Sequence, residues 1–291
     1  MQDKAQSSKA SYDKAALRER KKILGSDPEQ SILILILKAC TPTFSRPDFG
    51  KTLQSIKANF VQRDYEGIFT DAENLQVYSA AYVPGRALCY YEIFCRPQLS
   101  RVLAKNSLVY AVGSGSGSEL VSIAAAMTRA PADRQKVHLA MQDIGEWADV
   151  LGLFEEKIRT DWKLTTDQLT CIYEQGDVLS TENEARRTEL ISSADLITFM
   201  FVMNELFVKK APAMALIQSL VSSMKKGALL LIVESAGSFS HLKVGDKTYM
   251  VYTLLDAVKD LECLISENSL WLSYLPDFNS SNENSSTGSN D

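Results

Sequence analysis

The sequence predicts a doubly wound α/β fold, a mostly parallel sheet covered by helices on both faces, with a helical extension on its N-terminal side. Three observations carry this. After Asn106 the apolar pattern changes from helical spacing to short β-rich runs alternating with helical segments, the pattern of parallel strands joined by crossovers. A glycine-rich turn, Gly113-Ser-Gly115-Ser-Gly117, follows the first of these runs and precedes the first helical segment. With 45% hydrophobic and 23% charged residues in a chain of 291, the composition is that of a globular protein with a real core, not of a disordered or coiled-coil chain.

The elements follow in order. Residues 1–29 form a basic flexible arm: Met1 to Lys22 holds seven Lys/Arg against Asp3, Asp13 and Glu19. Such a run is a solvated tail or an arm for RNA or nuclear import. Residues 30–105 carry apolar residues at helical spacing, first Phe49, Leu53, Ile56 and Phe60, then Leu75, Tyr78 and Tyr82, then Leu88, Tyr91 and Phe94. Pro42, Pro47, Pro84 and Pro97 punctuate these blocks, and Ile32 to Leu37 is expected to be helical with them. The α/β domain spans 106–278. Its expected strands are Leu108 to Val112, Val137 to Met141, Thr170 to Tyr173, Asp195 to Met203 and Ala228 to Val233; its expected helices are Ser118 to Met127, Trp147 to Ile158 and Pro212 to Met224. Leu261 to Ile265 and Leu270 to Leu275 are expected to pair antiparallel at the sheet edge. Residues 279–291, nearly all Ser, Asn, Thr, Gly and acid, have nothing to bury and are expected to be disordered.

The longest nearly apolar stretch, Leu196 to Met203, is far short of the roughly 20 residues of a membrane helix, and the Lys-rich start lacks an apolar signal region. A soluble, unsecreted monomer is expected. Cys40, Cys89, Cys95, Cys171 and Cys263 are odd in number and contain no close pair, so they read as reduced, small buried apolar residues in a cytosolic or nuclear setting. With only His138 and His241 to help them, no metal site is expected. The balance of 36 acids against 31 bases weighs against nucleic acid as a partner, although a local patch can still bind phosphate.

The glycine turn carries the chemistry. Alternating glycines let the chain turn tightly and bring bare backbone to a ligand, and the helix that follows adds amide donors and a positive dipole end. A dinucleotide fingerprint would need glycine at 118 or 120, where Ser118 and Leu120 stand. The segment instead resembles the GxGxG loop of class I S-adenosylmethionine (SAM) methyltransferases, which cradles the amino-acid end of SAM. That family often carries an acid two residues before the first glycine; here the residue is Ala111, so the SAM amino group must be held from elsewhere.

The resemblance implies further site residues at successive strand ends. Asp143 would accept hydrogen bonds from the ribose hydroxyls or else cap a helix; Ile144 and Trp147 would flank the adenine, Trp147 alternatively being core. Asp177, with Val178 beside it, would take the adenine amino group or serve as a turn acid. The cofactor set is thus Gly113, Ser114, Gly115, Gly117, Asp143, Ile144, Asp177, Val178 and Phe201. Asn204 and Glu205 emerge at the carboxyl end of the fourth strand, where methyl group and acceptor meet, unless Asn204 merely caps the next helix.

The series Ala81 to Tyr90, Val109 to Gly117, Met203 to Phe207, Val233 to Ser238 and Ser269 to Trp271 is similar to the fungal family of 25S ribosomal RNA uridine-N3 methyltransferases. What this implies is transfer from SAM to a uridine of large-subunit rRNA or a pre-ribosomal particle, in the nucleus or nucleolus and the cytoplasm. Glu205 would be the base, positioned by Asn204, with Glu234 in reserve. Tyr82, Arg86 and Tyr90 would bind substrate, with Tyr78 and Tyr91 nearby, unless these tyrosines are core residues. Two alternatives remain: a protein or small-molecule acceptor, which the acidic body suits, and a non-catalytic SAM-fold factor of ribosome assembly.

Overall fold

The structure, a computed structural model, describes residues 23–129, 135–234 and 258–267, and the backbone of 241–244 and 247–250. Met1 to Lys22, Ser235 to Ser238, Ser269 to Trp271, the expected strand Leu270 to Leu275 and residues 279–291 lie outside the described residues. Within the segment expected to be a flexible arm, Leu24 is buried in the core.

The N-terminal helices are α1 (Pro28–Phe44), α2 (Phe49–Gln62), α3 (Tyr65–Phe69), α4 (Ala72–Phe94) and α5 (Pro97–Leu103). Side chains cap three of them: Asp27 accepts from the Gln30 N–H (2.9 Å), Asp64 from Gly67 (3.0 Å) and Asp71 from Glu73 (3.0 Å), relieving amides that the first turn leaves without partners. Proline does not break the blocks where expected. Pro42 and Pro84 lie inside α1 and α4, so the two blocks from Leu75 to Phe94 form one helix of 23 residues. Burial of Leu75, Tyr78, Val83, Leu88, Tyr91 and Phe94 outweighs the hydrogen bond that Pro84 cannot donate. Helix α4 packs along α1 and along the helix that follows the glycine turn.

The α/β part consists of β1 (Asn106–Val112), α6 (Ser118–Arg129), β2 (Lys136–Asp143), α7 (Ala148–Asp161), β3 (Leu169–Gln175), α8 (Glu184–Ser193), β4 (Leu196–Met200), α9 (Met203–Leu206), α10 (Lys210–Ser223) and β5 (Leu229–Val233). The five strands are all parallel, in the order β3-β2-β1-β4-β5. Strand β1 is central: Val109 pairs with Leu139 on one side and Leu196 on the other. Val109 and Ala111 face the core shared with the N-terminal helices, α6 and α7, whereas Tyr110 and Val112 face the core shared with α8 and α10. Burial on both faces is why these strands read as continuous apolar runs. The strand order reverses between β1 and β4, and the crevice at their carboxyl ends is where such sheets bind ligands.

Several expectations need correction. The fourth strand ends at Met200, not Met203, because the chain turns at Phe201, whose φ of 61° is left-handed. Helix α8 was not expected; its buried positions include Arg187 besides Leu190 and Ile191, so its apolar stripe is too short to read. Leu261 to Ile265 forms no strand, and an antiparallel pair occurs instead at β6 (His241–Val244) and β7 (Lys247–Met250). All five cysteines are free thiols, but only Cys40 is buried and Cys263 is exposed, so the expectation of uniform burial fails. Among the described residues no helix is long and apolar enough to cross a membrane, and no cluster of three metal-ligating side chains occurs.

Candidate active site

The glycine turn continues the β1 ladder before it bends. Gly113 donates to the Gln142 carbonyl (2.8 Å), Ser114 Oγ donates to the Ala111 carbonyl (3.1 Å), and the Gly117 N–H returns to Ser114 O (3.2 Å). Gly113 and Gly117 have φ of 68° and 91°, which disfavours any residue with a Cβ. Gly115 is required for clearance, because a Cβ there would overlap the Trp147 indole. Its bare backbone thus faces a side chain of the protein. Trp147 is 1% exposed and belongs to the core.

Asp143 closes this corner from the tip of β2. Its Oδ2 accepts from the Gly115 N–H (3.0 Å); its Oδ1 accepts from the Gly145 N–H (3.1 Å) and from Trp147 Nε1 (2.8 Å). A carboxylate offers about four lone-pair sites, so at most one is left for a ribose hydroxyl where two bonds were expected. Burial raises the Asp143 carboxyl above its ordinary value, and these donors oppose the rise. The helix-cap alternative does not hold, since α7 is preceded by Trp147 and has no side-chain cap. Beside Asp143, the half-buried Ile144 has its carbonyl bonded to Gln175 Nε2 (3.2 Å).

Asp177 sits in a turn after β3. It accepts from the Leu179 N–H (2.8 Å) and pairs with Lys209 (3.2 Å). Val178 is buried against the α8 side of the sheet, where Arg187 Nη1 holds its carbonyl.

The opposite wall comes from β4, β5 and α4. Phe201, in its left-handed turn, donates its N–H to the Val233 carbonyl (2.7 Å) and stacks on the Tyr90 ring at 6.0 Å. An aromatic residue held in that conformation is strained backbone of the kind that clusters at functional sites. Glu234, after β5, accepts from the Met203 N–H (2.8 Å) and from Asn204 Nδ2 (2.9 Å); the residue flanking α9 on its N-terminal side is Val202, so Asn204 does not cap it. Glu205 is half-buried, and its carboxyl is pushed up to about 8 by burial and by the charges of Asp143 and Glu234, with Arg86 opposing.

Arg86 joins the two walls. Its guanidinium bonds to the Tyr78 hydroxyl and lies 5.4, 5.6 and 5.4 Å from the ring centroids of Tyr78, Tyr82 and Phe201, within cation–π range. Tyr82 is half-buried beside it. Tyr90 and Tyr91 are each 1% exposed and Tyr78 is 3% exposed: these rings lie under the site and offer no face to a base, which corrects the expected substrate role of Tyr90.

Two residues near this cleft were missed by sequence reasoning. The half-buried Tyr65 on α3 has its phenol raised by burial and by the charges of Glu205 and Glu234, and no motif surrounds it. Glu119, in the first turn of α6, follows the glycine turn but belongs to no motif that marks it. It is 2% exposed, its Oε1 has no hydrogen-bond partner, and burial lifts its carboxyl to about 8. Such an orphaned oxygen beside the turn, together with the Asp143 carboxylate, fits a ligand that brings hydrogen-bond donors and positive charge, as SAM does.

The sequence profile of the Methyltransf_34 family of SAM-dependent methyltransferases matches residues 36–272. The 25S rRNA (uridine(2843)-N(3))-methyltransferase of Saccharomyces cerevisiae is 27% identical over 257 residues, covering 75% of this chain and 70% of the yeast protein. Among solved structures, an O-methyltransferase family protein from Burkholderia thailandensis superposes with a TM-score of 0.39 and 17% identity over 68% of this chain and 52% of its own, so this chain spans about half that protein's length. A protein-L-isoaspartate O-methyltransferase from Plasmodium falciparum, in complex with S-adenosyl-L-homocysteine, gives a TM-score of 0.31 and 16% identity over 62% of this chain and 84% of its own. The glycine turn, the parallel order β3-β2-β1-β4-β5 and a profile match over about four-fifths of the sequence agree: the chain belongs to this family of SAM-dependent methyltransferases and has the class I fold.

Proposed function

We propose that this protein methylates N3 of a uridine in large-subunit ribosomal RNA. The observation that carries the reading is Glu205, a half-buried carboxylate at the carboxyl end of the central strands whose proton affinity is raised to about 8. When bound, SAM supplies an electrophilic methyl group on a sulfonium. The acceptor N3 bears a proton in neutral uridine, so a base must take that proton as the N–C bond forms and the S–C bond breaks. Glu205 takes it. A carboxylate of this strength is roughly a tenth ionised at pH 7 and is a far stronger base than an exposed one. Asn204 and Glu234 fix the segment that carries it.

Arg86, backed by Tyr82 and Phe201, positions the nucleotide, Asp143 holds the adenosyl end of SAM and the glycine turn its amino-acid end. Holding the reactants in line accounts for several kcal/mol of the barrier. Residues 106–278 act as the transferase domain and 30–105 as its helical wall. The relative from S. cerevisiae, named for uridine N3 of 25S rRNA, supports the choice of acceptor, and the setting that goes with this reading is ribosome formation, in the nucleus or nucleolus and the cytoplasm.

The charge balance of -5 favours a second reading, a protein or small-molecule acceptor. Labelled SAM incubated with the protein and with rRNA from cells lacking it distinguishes the two. The proposal expects label in N3-methyluridine after nucleoside digestion; label recovered only in protein or small molecules overturns it.

A further inference from the structure

The most exacting group that this mechanism leaves unused is Glu119. It stands two residues beyond Gly117, in the first turn of α6, and its side chain turns into the protein. Three features make it unusual. Only 2% of the residue is exposed. Its Oε1 is buried and unbonded among the described residues. The charged side chains that act on it are Arg86, which draws its proton affinity down, and Asp143, which pushes it up; both belong to the candidate active site. It in turn acts on the Tyr90 phenol. A buried carboxyl with one oxygen unbonded is costly, and ionising it more so; a fold that keeps one next to its ligand turn leaves that cost for a ligand to offset.

The ligand chemistry follows from what is missing. The group must be cationic and must carry N–H donors. A sulfonium has charge but no donor; a ribose hydroxyl is a donor without charge; an ammonium has both, with three donors. The position two residues before Gly113, where the family often has an acid, is Ala111, which is fully buried and apolar. We propose that Glu119 receives the α-ammonium group of the SAM amino-acid moiety, from the helical side of the glycine turn and in place of the acid that Ala111 lacks. This rests on the SAM site at that turn. Glu119 holds the methionine end, and Asp143 remains for the ribose.

The test is calorimetric titration of the full chain with S-adenosylhomocysteine and with 5′-methylthioadenosine, which shares the adenosine and thioether but lacks the amino acid. In Glu119→Gln the dissociation constant for S-adenosylhomocysteine should rise about tenfold or more, while that for methylthioadenosine stays within about twofold. Glu119→Asp, which keeps the charge on a shorter arm, should fall between. Unchanged affinity for S-adenosylhomocysteine in Glu119→Gln, or equal loss for both nucleosides, overturns the assignment with the SAM site intact. A wild-type chain that binds neither nucleoside overturns the site itself, and the assignment with it.

Discussion

Asn204 donates its side-chain amide to Glu234 across 2.9 Å, tying the end of β4 to the end of β5. Because the Met203 N–H reaches the same carboxylate (2.8 Å), the segment carrying Glu205 is held on two sides. Glu205→Gln should therefore leave this clamp in place and remove only the base. The expected result is a fall in kcat of about a hundredfold or more with SAM affinity unchanged. Since the base acts only when ionised, and its carboxyl is raised to about 8 by burial, the wild-type rate should climb with pH and level off near that value. The same rise should be absent in Glu205→Gln. Steady-state rates from pH 6 to 9 check both statements, and a parallel loss of SAM binding would remove the base assignment.

Gly115→Ala would drive a methyl group into the Trp147 ring, which is itself bonded to Asp143. Since interiors are packed without room for such a group, a destabilisation of about 1–3 kcal/mol is expected. Gly152, on the exposed face of α7, has nothing within 4 Å of its would-be Cβ, so Gly152→Ala should stabilise by about 0.5–1 kcal/mol. Chemical unfolding of the two variants should move in opposite directions.

Glu119 makes stability depend on pH. Its folded carboxyl titrates at about 8, above the ordinary 4.5, because it is buried. The folded state therefore keeps a proton that the unfolded chain releases between these values, and the stability of the unliganded protein falls as pH rises through that window. The slope contributed is at most about 1.4 kcal/mol per pH unit. Thermal unfolding at pH 5, 6.5 and 8 should show wild type losing stability relative to Glu119→Gln; curves that stay parallel would argue against the buried charge.

Arg86 lies against Tyr78, Tyr82 and Phe201, so its guanidinium is set by packing as well as by charge. Arg86→Lys keeps the charge but loses the planar group that stacks on rings. RNA affinity should drop by about fivefold or more, the range of one lost bidentate arginine contact, with SAM affinity unaffected. Filter binding with an rRNA fragment measures the first and calorimetry the second.

The parts of the fold legible in the sequence are those whose burial is complete. Strands β1, β2 and β4 are covered on both faces and appear as apolar runs, and the glycine turn between β1 and α6 is marked by residue type alone. Legibility fails where one group overrides a local rule. Pro84 is carried inside α4 by packing along its length, Arg187 takes a core position that would otherwise mark α8, and the turn at Phe201 cuts short a run that looks like strand through Met203. Asp143, Asn204 and Glu205 stand at or just after the ends of strands, as the sequence predicts. Tyr65 and Glu119 are not legible in this way, because each matters through neighbours distant in sequence, Glu205 and Glu234 for one, Arg86 and Asp143 for the other. Tyr90 shows the converse: its spacing suggested a binding face, and the packing of α4 on α6 buries it.

The central claim is that SAM binds where the glycine turn meets the end of β2, with Asp143 as the hinge between them. Calorimetric titration of the wild-type chain and of Asp143→Asn with SAM tests it directly, because the substitution replaces an acceptor of three N–H bonds by a group that is half donor. The expected result is one site per chain in wild type and binding weaker by about tenfold or more in the variant. No heat of binding in wild type, or equal affinity in the two proteins, would contradict the account.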